Sequence, residues 1–239
     1  MPKSPAHCLV TGANRGIGLE WVRQLLARGD RVVAAARHPG KANALNALAG
    51  EHPGHLHVLP LDVADPRAIA ELQRELLLLG DDGEQDRLDL LVNCAGVLHS
   101  GERFGAVEAA TLDDSFRINA MGPFLLTQAL APRMADGARV ANLSSQLGSI
   151  AGLTGFGTPS YNISKAAQNM ATALLAAALR PRGIIVVALH PGWVQTDMGG
   201  AGATVTAQAS VTGMLRVIDG LKQADSGKFL DWRGQSLPW

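Results

Sequence analysis

Aromatic residues are scarce in this chain, 4% of 239 positions, and tyrosine occurs once, as Tyr161. A common residue type held to a single position invites a functional reading of that position. Cysteine is nearly absent. Cys8 and Cys94 are the only two, both lie in apolar strand-like runs, and they read as buried small hydrophobes rather than as a disulfide or a thiolate metal site. Neither sign of charge is in excess, with 21 basic and 21 acidic residues and no basic tract. That excludes nucleic acid or a membrane surface as the expected main partner. No apolar run reaches about 18 residues, and no cationic segment leads into an apolar core at the N-terminus. A soluble cytoplasmic protein is therefore expected. No Cys, His, Asp or Glu cluster has metal-ligand spacing and no acidic pair suits glycosidic chemistry, so no metal site is expected.

What is abundant is glycine, 27 residues, within a composition that is 47% hydrophobic. Both suit a compact α/β protein, and the length suits one domain over residues 1–239. Strand-like and helix-like segments alternate from end to end. Strands are expected at His7–Val10, Arg31–Ala36, Leu56–Leu61, Leu88–Asn93, Ala138–Leu143, Ile184–Leu189 and Lys228–Asp231. Helices are expected at Gly16–Arg28, Ala42–Ala49, Asp65–Leu79, Thr111–Met134, Pro159–Leu179 and Ala207–Leu221, with a polar loop at Gly80–Asp86. Asp65, Thr111 and Thr158 are the expected N-caps, Asp114 completing a capping box with Thr111. Such alternation predicts an α/β fold: a doubly wound Rossmann-type sheet of about seven mostly parallel strands with helices on both faces. The doubly wound order is inferred from a glycine motif, since spacing alone gives no strand order.

That motif is Thr11-Gly12-Ala13-Asn14-Arg15-Gly16-Ile17-Gly18, between the first strand and the first helix. Gly12 permits a sharp turn out of the strand, and Gly16 and Gly18 let a pyrophosphate approach the backbone and the helix N-terminus. The second strand ends Ala34-Ala35-Ala36-Arg37, without the acid that would bond the ribose hydroxyls of the unphosphorylated cofactor. Arg37, with Arg15 from the other side, is expected to pair with a 2′-phosphate, which favours NADP(H) with NAD(H) as the alternative. Tyr161 and Lys165 lie four apart on one helix face, so the ammonium is expected to lower the phenol pKa.

Three residues separate Gly12 from Gly16, and with this spacing the chain resembles the short-chain dehydrogenases/reductases. The resemblance runs in order through Asp62-Val63, Asn93-Cys94-Ala95-Gly96, Asn119, Ser144-Ser145, Tyr161 with Lys165, and Pro191 to Thr196. It implies a cofactor site formed by Gly12, Asn14, Arg15, Gly16, Ile17, Gly18, Arg37, Asp62, Val63, Asn93, Ala95, Gly96, Tyr161, Lys165, Pro191, Gly192, Val194 and Thr196. It also implies a catalytic set. Tyr161 would be the proton donor or acceptor, Lys165 would hold the ribose, Ser145 would polarise the carbonyl, and Asn119 would join a proton relay. Cys94 departs from the family's commoner asparagine.

The implied activity is NADP-dependent interconversion of a small carbonyl compound and its alcohol. The alternative is a non-catalytic NAD(P)-binding signalling or sensor protein. Ser144–Ile150, Gly199-Gly200 and the ending Gly227 to Trp239 resemble the C-factor and sniffer-like carbonyl reductase branch. Specificity is expected from Leu98–Arg103, Gln146–Ser160 and Trp193, with Gly199–Ala203 as a lid. The oligomeric state is open: the alanine-rich Tyr161–Leu179 helix can pack against a twin, in a homodimer or homotetramer, or simply against the sheet. His99 is expected to be a loop residue and His190 a packing one.

Overall fold

The alternating pattern resolves into one seven-stranded sheet, all of its neighbouring strands parallel. The computed structural model describes residues 5–79 and 87–239, so the loop expected at Gly80–Asp86 lies outside the described residues. The strands are β1 (His7–Thr11), β2 (Arg31–Ala36), β3 (Leu56–Pro60), β4 (Leu88–Asn93), β5 (Met134–Leu143), β6 (Ile185–His190) and β7 (Phe229–Asp231). The helices are α1 (Gly16–Ala27), α2 (Asn43–Glu51), α3 (Pro66–Leu79), α4 (Ala109–Phe116), α5 (Gly122–Leu130), α6 (Pro159–Leu179) and α7 (Ala207–Gly220). Spatial order is β3-β2-β1-β4-β5-β6-β7. The chain thus winds outward from β1 to β3, then returns to the far side of β1 for β4. The crevice where winding reverses, between β1 and β4, is where open α/β sheets bind ligands.

Strand residues alternate between two apolar layers, as a period of two requires. Cys8, Val10, Leu90 and Val92 join Trp21, Val22, Leu25, Val211 and Met214 under α1 and α7. Leu9 and Leu91 face the other way, with Leu72, Leu126, Leu130 and Leu175 of α3, α5 and α6. Both faces of the sheet are covered.

The largest departure from the sequence reading is the helix expected at Thr111–Met134. It is instead α4, a π-helical turn at Arg117–Met121, α5, and a 3₁₀ turn at Ala131–Arg133. Pro123 cannot donate to a carbonyl one turn back, and the wider turn just before it absorbs that loss. Thr111 is not the cap, because α4 begins two residues earlier, and Asp114 bonds His99 rather than closing a capping box. Strand β5 starts at Met134 rather than Ala138, since Leu88 pairs with Met134 before a bulge shifts the register to Leu90 opposite Arg139. Thr158 precedes α6 as expected but does not cap it. Its backbone is left-handed, at φ 41°, and its hydroxyl donates to Asn162 Oδ1 at 3.2 Å.

Candidate active site

The glycine turn leaves the C-terminal end of β1 in the centre of the sheet. Gly12 has φ 63°, and a Cβ there would lie 2.8 Å from the Ala95 Cα. A Cβ on Gly18 would lie 2.2 Å from the Gly12 carbonyl oxygen. Both positions therefore admit only glycine. The turn is pinned to β4 by Thr11, whose Oγ1 accepts the Cys94 and Ala95 amides, each at 3.0 Å. No side chain caps α1, and its first turn holds no acid. Open amides, partial positive charge and bare backbone together fit the pyrophosphate of a dinucleotide.

Around this turn, Asn14 is exposed and Ile17 packs on the α1 layer. Asp62 Oδ1 accepts the Ala64 amide at 2.9 Å, and Val63 is buried beside it. Arg37 is exposed at the end of β2 and forms no ion pair among the described residues. Arg15 does not accompany it. Its Nη1 lies 2.6 Å from Asp197 Oδ2, tying the turn to the segment after β6. That segment carries Pro191 and Gly192, half-buried, the buried Val194, and Thr196. The Thr196 hydroxyl accepts the Gly199 amide at 3.1 Å. The Gly199–Ala203 stretch is wound against it, with the Trp193 indole donating to the Gly199 carbonyl at 2.8 Å.

Tyr161, Ser164, Lys165, Gln168 and Thr172 are all buried in α6 at spacings of three and four, so one helix face is polar yet turned inward. Ser145 follows β5, and its hydroxyl accepts the Leu147 amide at 3.2 Å and lies beside the Tyr161 phenol. Burial pushes that phenol up to about 12, and Ser145 opposes the rise. Lys165 moves the opposite way: burial pulls its ammonium down to about 8. Its Nζ donates to the Leu143 carbonyl at 2.6 Å and to Gln168 Oε1 at 2.9 Å, and lies 5.6 Å from the centre of the Tyr161 ring. Ser145 pulls the phenol down, and the ammonium expected to do so lies on the same helix face, at the 5.6 Å just given. A Cβ on Gly96 would press on Asn119 Oδ1 at 3.2 Å and reach ordinary contact with Lys165 Nζ at 3.8 Å, so glycine lets the chain after β4 lie close to both.

Asn119 sits in the π turn with its side chain fully engaged. It accepts the Val97 amide at 2.8 Å and donates to the Val97 carbonyl at 2.8 Å and to Ser164 Oγ at 2.9 Å. The side chain is thus committed to the loop after β4 and to Ser164. Asn93 donates to Thr127 Oγ1 and Asn142 Oδ1, and Asn142 donates to Thr172 Oγ1. Ser144 donates to Asn169 at 2.6 Å, which leaves Ser145 alone beside the phenol. Thr127, Asn142, Gln168, Asn169 and Thr172 were not foreseen, and Thr11 only as part of the glycine motif. Asn142 lies near a strand end, Gln168, Asn169 and Thr172 on the inward side of α6, and Thr127 in α5. The two cysteines are free. Cys94 is pushed up to about 12 by burial, with partial relief from Lys165, so its thiol stays protonated. His190 is pulled down to about 4 by burial and stays neutral.

A family model described as short chain dehydrogenase matches residues 6–205. The chain belongs to that family. It is an oxidoreductase of the branch that holds carbonyl reductases and C-signal. The C-signal protein of Myxococcus xanthus is 49% identical over 154 residues, covering 64% of this chain and 93% of the relative. The NADPH-bound carbonyl reductase from chicken fatty liver superposes with a TM-score of 0.91 at 39% identity, covering 98% of this chain and 99% of that one. The carbonyl reductase Sniffer of D. melanogaster gives 0.93 at 32% identity, with 99% and 100% covered. No helix among the described residues is long and apolar enough to cross a membrane.

Proposed function

We propose that this protein reduces a small carbonyl compound to its alcohol, or the reverse, with NADP(H). The observation that carries this reading is the buried Tyr161–Lys165 pair on one face of α6, its phenol beside the Ser145 hydroxyl at the sheet end that bears the glycine turn. The bound nicotinamide would supply or take up the hydride. Gly12, Gly16 and Gly18 with the α1 N-terminus would hold its pyrophosphate, Asp62 and Val63 the adenine side, and Thr196 the nicotinamide side. Arg37, which forms no ion pair among the described residues, would read the 2′-phosphate, and the NADPH carried by the chicken relative agrees with that preference.

In the reducing direction Ser145 donates to the substrate oxygen and polarises it, while Tyr161 delivers the proton as the alkoxide forms. A phenol pKa near 12 keeps that proton in place throughout the neutral range. Lys165, protonated below about 8, balances the developing phenolate, and the proton that Tyr161 gives up is restored from solvent by the relay that Lys165 and Asn119 would form. The test is NADPH oxidation against a panel of ketones, aldehydes and quinones, with Tyr161→Phe as control. Turnover by the native chain and a loss of about 10²–10⁴ in the variant are expected, the usual worth of a positioned acid. Near-native turnover by the variant would refute the assignment.

The likeness to C-signal favours one second reading, a signalling protein that keeps the cofactor cleft. Tight NADPH binding without turnover of any panel member would select it.

A further inference from the structure

Glu102 has no part in the chemistry above, yet it reaches from the loop after β4 to the helix that bears Tyr161. Its Oε2 accepts the Ser160 hydroxyl at 2.8 Å and the Ser160 amide at 3.3 Å. Helix α6 needs this help from outside. Thr158 stands at the N-cap in a left-handed conformation with no capping bond, and Pro159 has no N–H to offer. The Ser160 amide is the first one free, and a carboxylate there also meets the positive end of the helix dipole. The other Glu102 oxygen, Oε1, is buried without a partner. Leaving a carboxylate oxygen so is costly, and the Ser160 bonds are what hold the group in place.

The same loop is anchored at two further points. Asn119 grips both the amide and the carbonyl of Val97, and His99 Nε2 lies 2.8 Å from Asp114 Oδ2. The segment from Val97 to Glu102 therefore runs, fixed at its start, middle and end, from beside Lys165 to the residue before Tyr161. Resting on the reading of Tyr161 as proton donor, we propose that Glu102 is a positioning residue. It ties the first turn of α6, and with it the phenol, to the loop that walls the substrate side of the cleft.

The experiment compares the full-length chain with Glu102→Ala and Glu102→Gln, measuring kcat, KM for the best carbonyl of the panel, and the NADPH dissociation constant. Glu102→Ala should lower kcat roughly 10- to 100-fold, the scale of a small misplacement of a reacting group, with NADPH affinity within about twofold. Glu102→Gln retains an acceptor oxygen and should recover kcat to within about threefold of native. Native kcat in Glu102→Ala overturns the proposal, as does equal impairment of both variants. Should Glu102→Ala fail to fold, Ser160→Ala removes only the 2.8 Å bond and should still lower kcat several-fold; an unchanged kcat there also overturns it. A native chain that binds NADPH but turns nothing over removes the parent reading, and this one falls with it. A native chain that is active and matched by Glu102→Ala removes the tether alone.

Discussion

Lys165 is a lysine without a carboxylate. Its ammonium is buried against one carbonyl and one amide oxygen, and burial lowers its pKa from 10.5 to about 8. Between those two values the unfolded chain keeps a proton that the folded one has lost, so stability rises with pH across the window. Below about 8 both states are protonated and the full cost of burying the charge is present. Tyr161 has the opposite sign, its raised pKa removing stability between about 10 and 12, so the interval from 8 to 10 isolates the lysine. Native protein and Lys165→Met should therefore differ in their urea midpoints by an amount that changes steadily from pH 8 to 10 in favour of the native chain. Both proteins share the two cysteines, so their titration largely cancels. Parallel midpoints across that range would show that the ammonium is not buried as described.

At the scale of elements, much of the fold could be read from the sequence because strands and amphipathic helices announce themselves by apolar spacing. Arg31–Ala36 and Leu88–Asn93 match residue for residue. The turn at Arg117–Met121 could not be read so. Widening one turn of a helix hardly changes which residues are apolar, and only Pro123 hinted at it. Catalytic types stood out because Tyr161 is unique and the glycine spacing is restrictive, whereas Glu102 looked like any loop acid. Its role depends on where α6 begins and on the conformation of Thr158, neither of which spacing encodes. The π turn carries Asn119, whose side chain holds Val97, so the element can be tested through that side chain. Asn119→Ala would leave the half-buried Val97 amide and carbonyl without these partners, at a cost of up to about 1–3 kcal/mol each where water does not replace them. For a chain of this size each kcal/mol lowers Tm by about 2–4 °C. A melting temperature unchanged from native would mean that the clamp contributes nothing.

For the whole molecule the strand order decides the cofactor. Because β2 lies beside β1, the end of β2 places Arg37 next to the glycine turn, and because winding reverses between β1 and β4 the crevice opens there. No sequence spacing encodes that order, since it arises from which strands meet across the sheet rather than from neighbours along the chain. With 21 charges of each sign there is no net field to draw in an anionic cofactor, so discrimination must be local. Arg15 is already matched by Asp197, in a pair exposed on both sides and worth about 0–1 kcal/mol. Arg37, at the end of β2, has no ion pair among the described residues. A hydrogen bond from it to a phosphate would be charge-assisted and worth about 1.5–3 kcal/mol, or roughly 10- to 150-fold in affinity. Arg37→Asp removes that bond, puts a like charge against the phosphate, and offers a carboxylate to the two ribose hydroxyls of NADH. The ratio of kcat/KM for NADPH over NADH should therefore fall by at least about 100-fold, while Arg15→Ala, which frees Asp197, should move it far less. An unchanged ratio in Arg37→Asp would mean that the phosphate is read at the Arg15–Asp197 pair, with the cofactor itself breaking that bridge on entry.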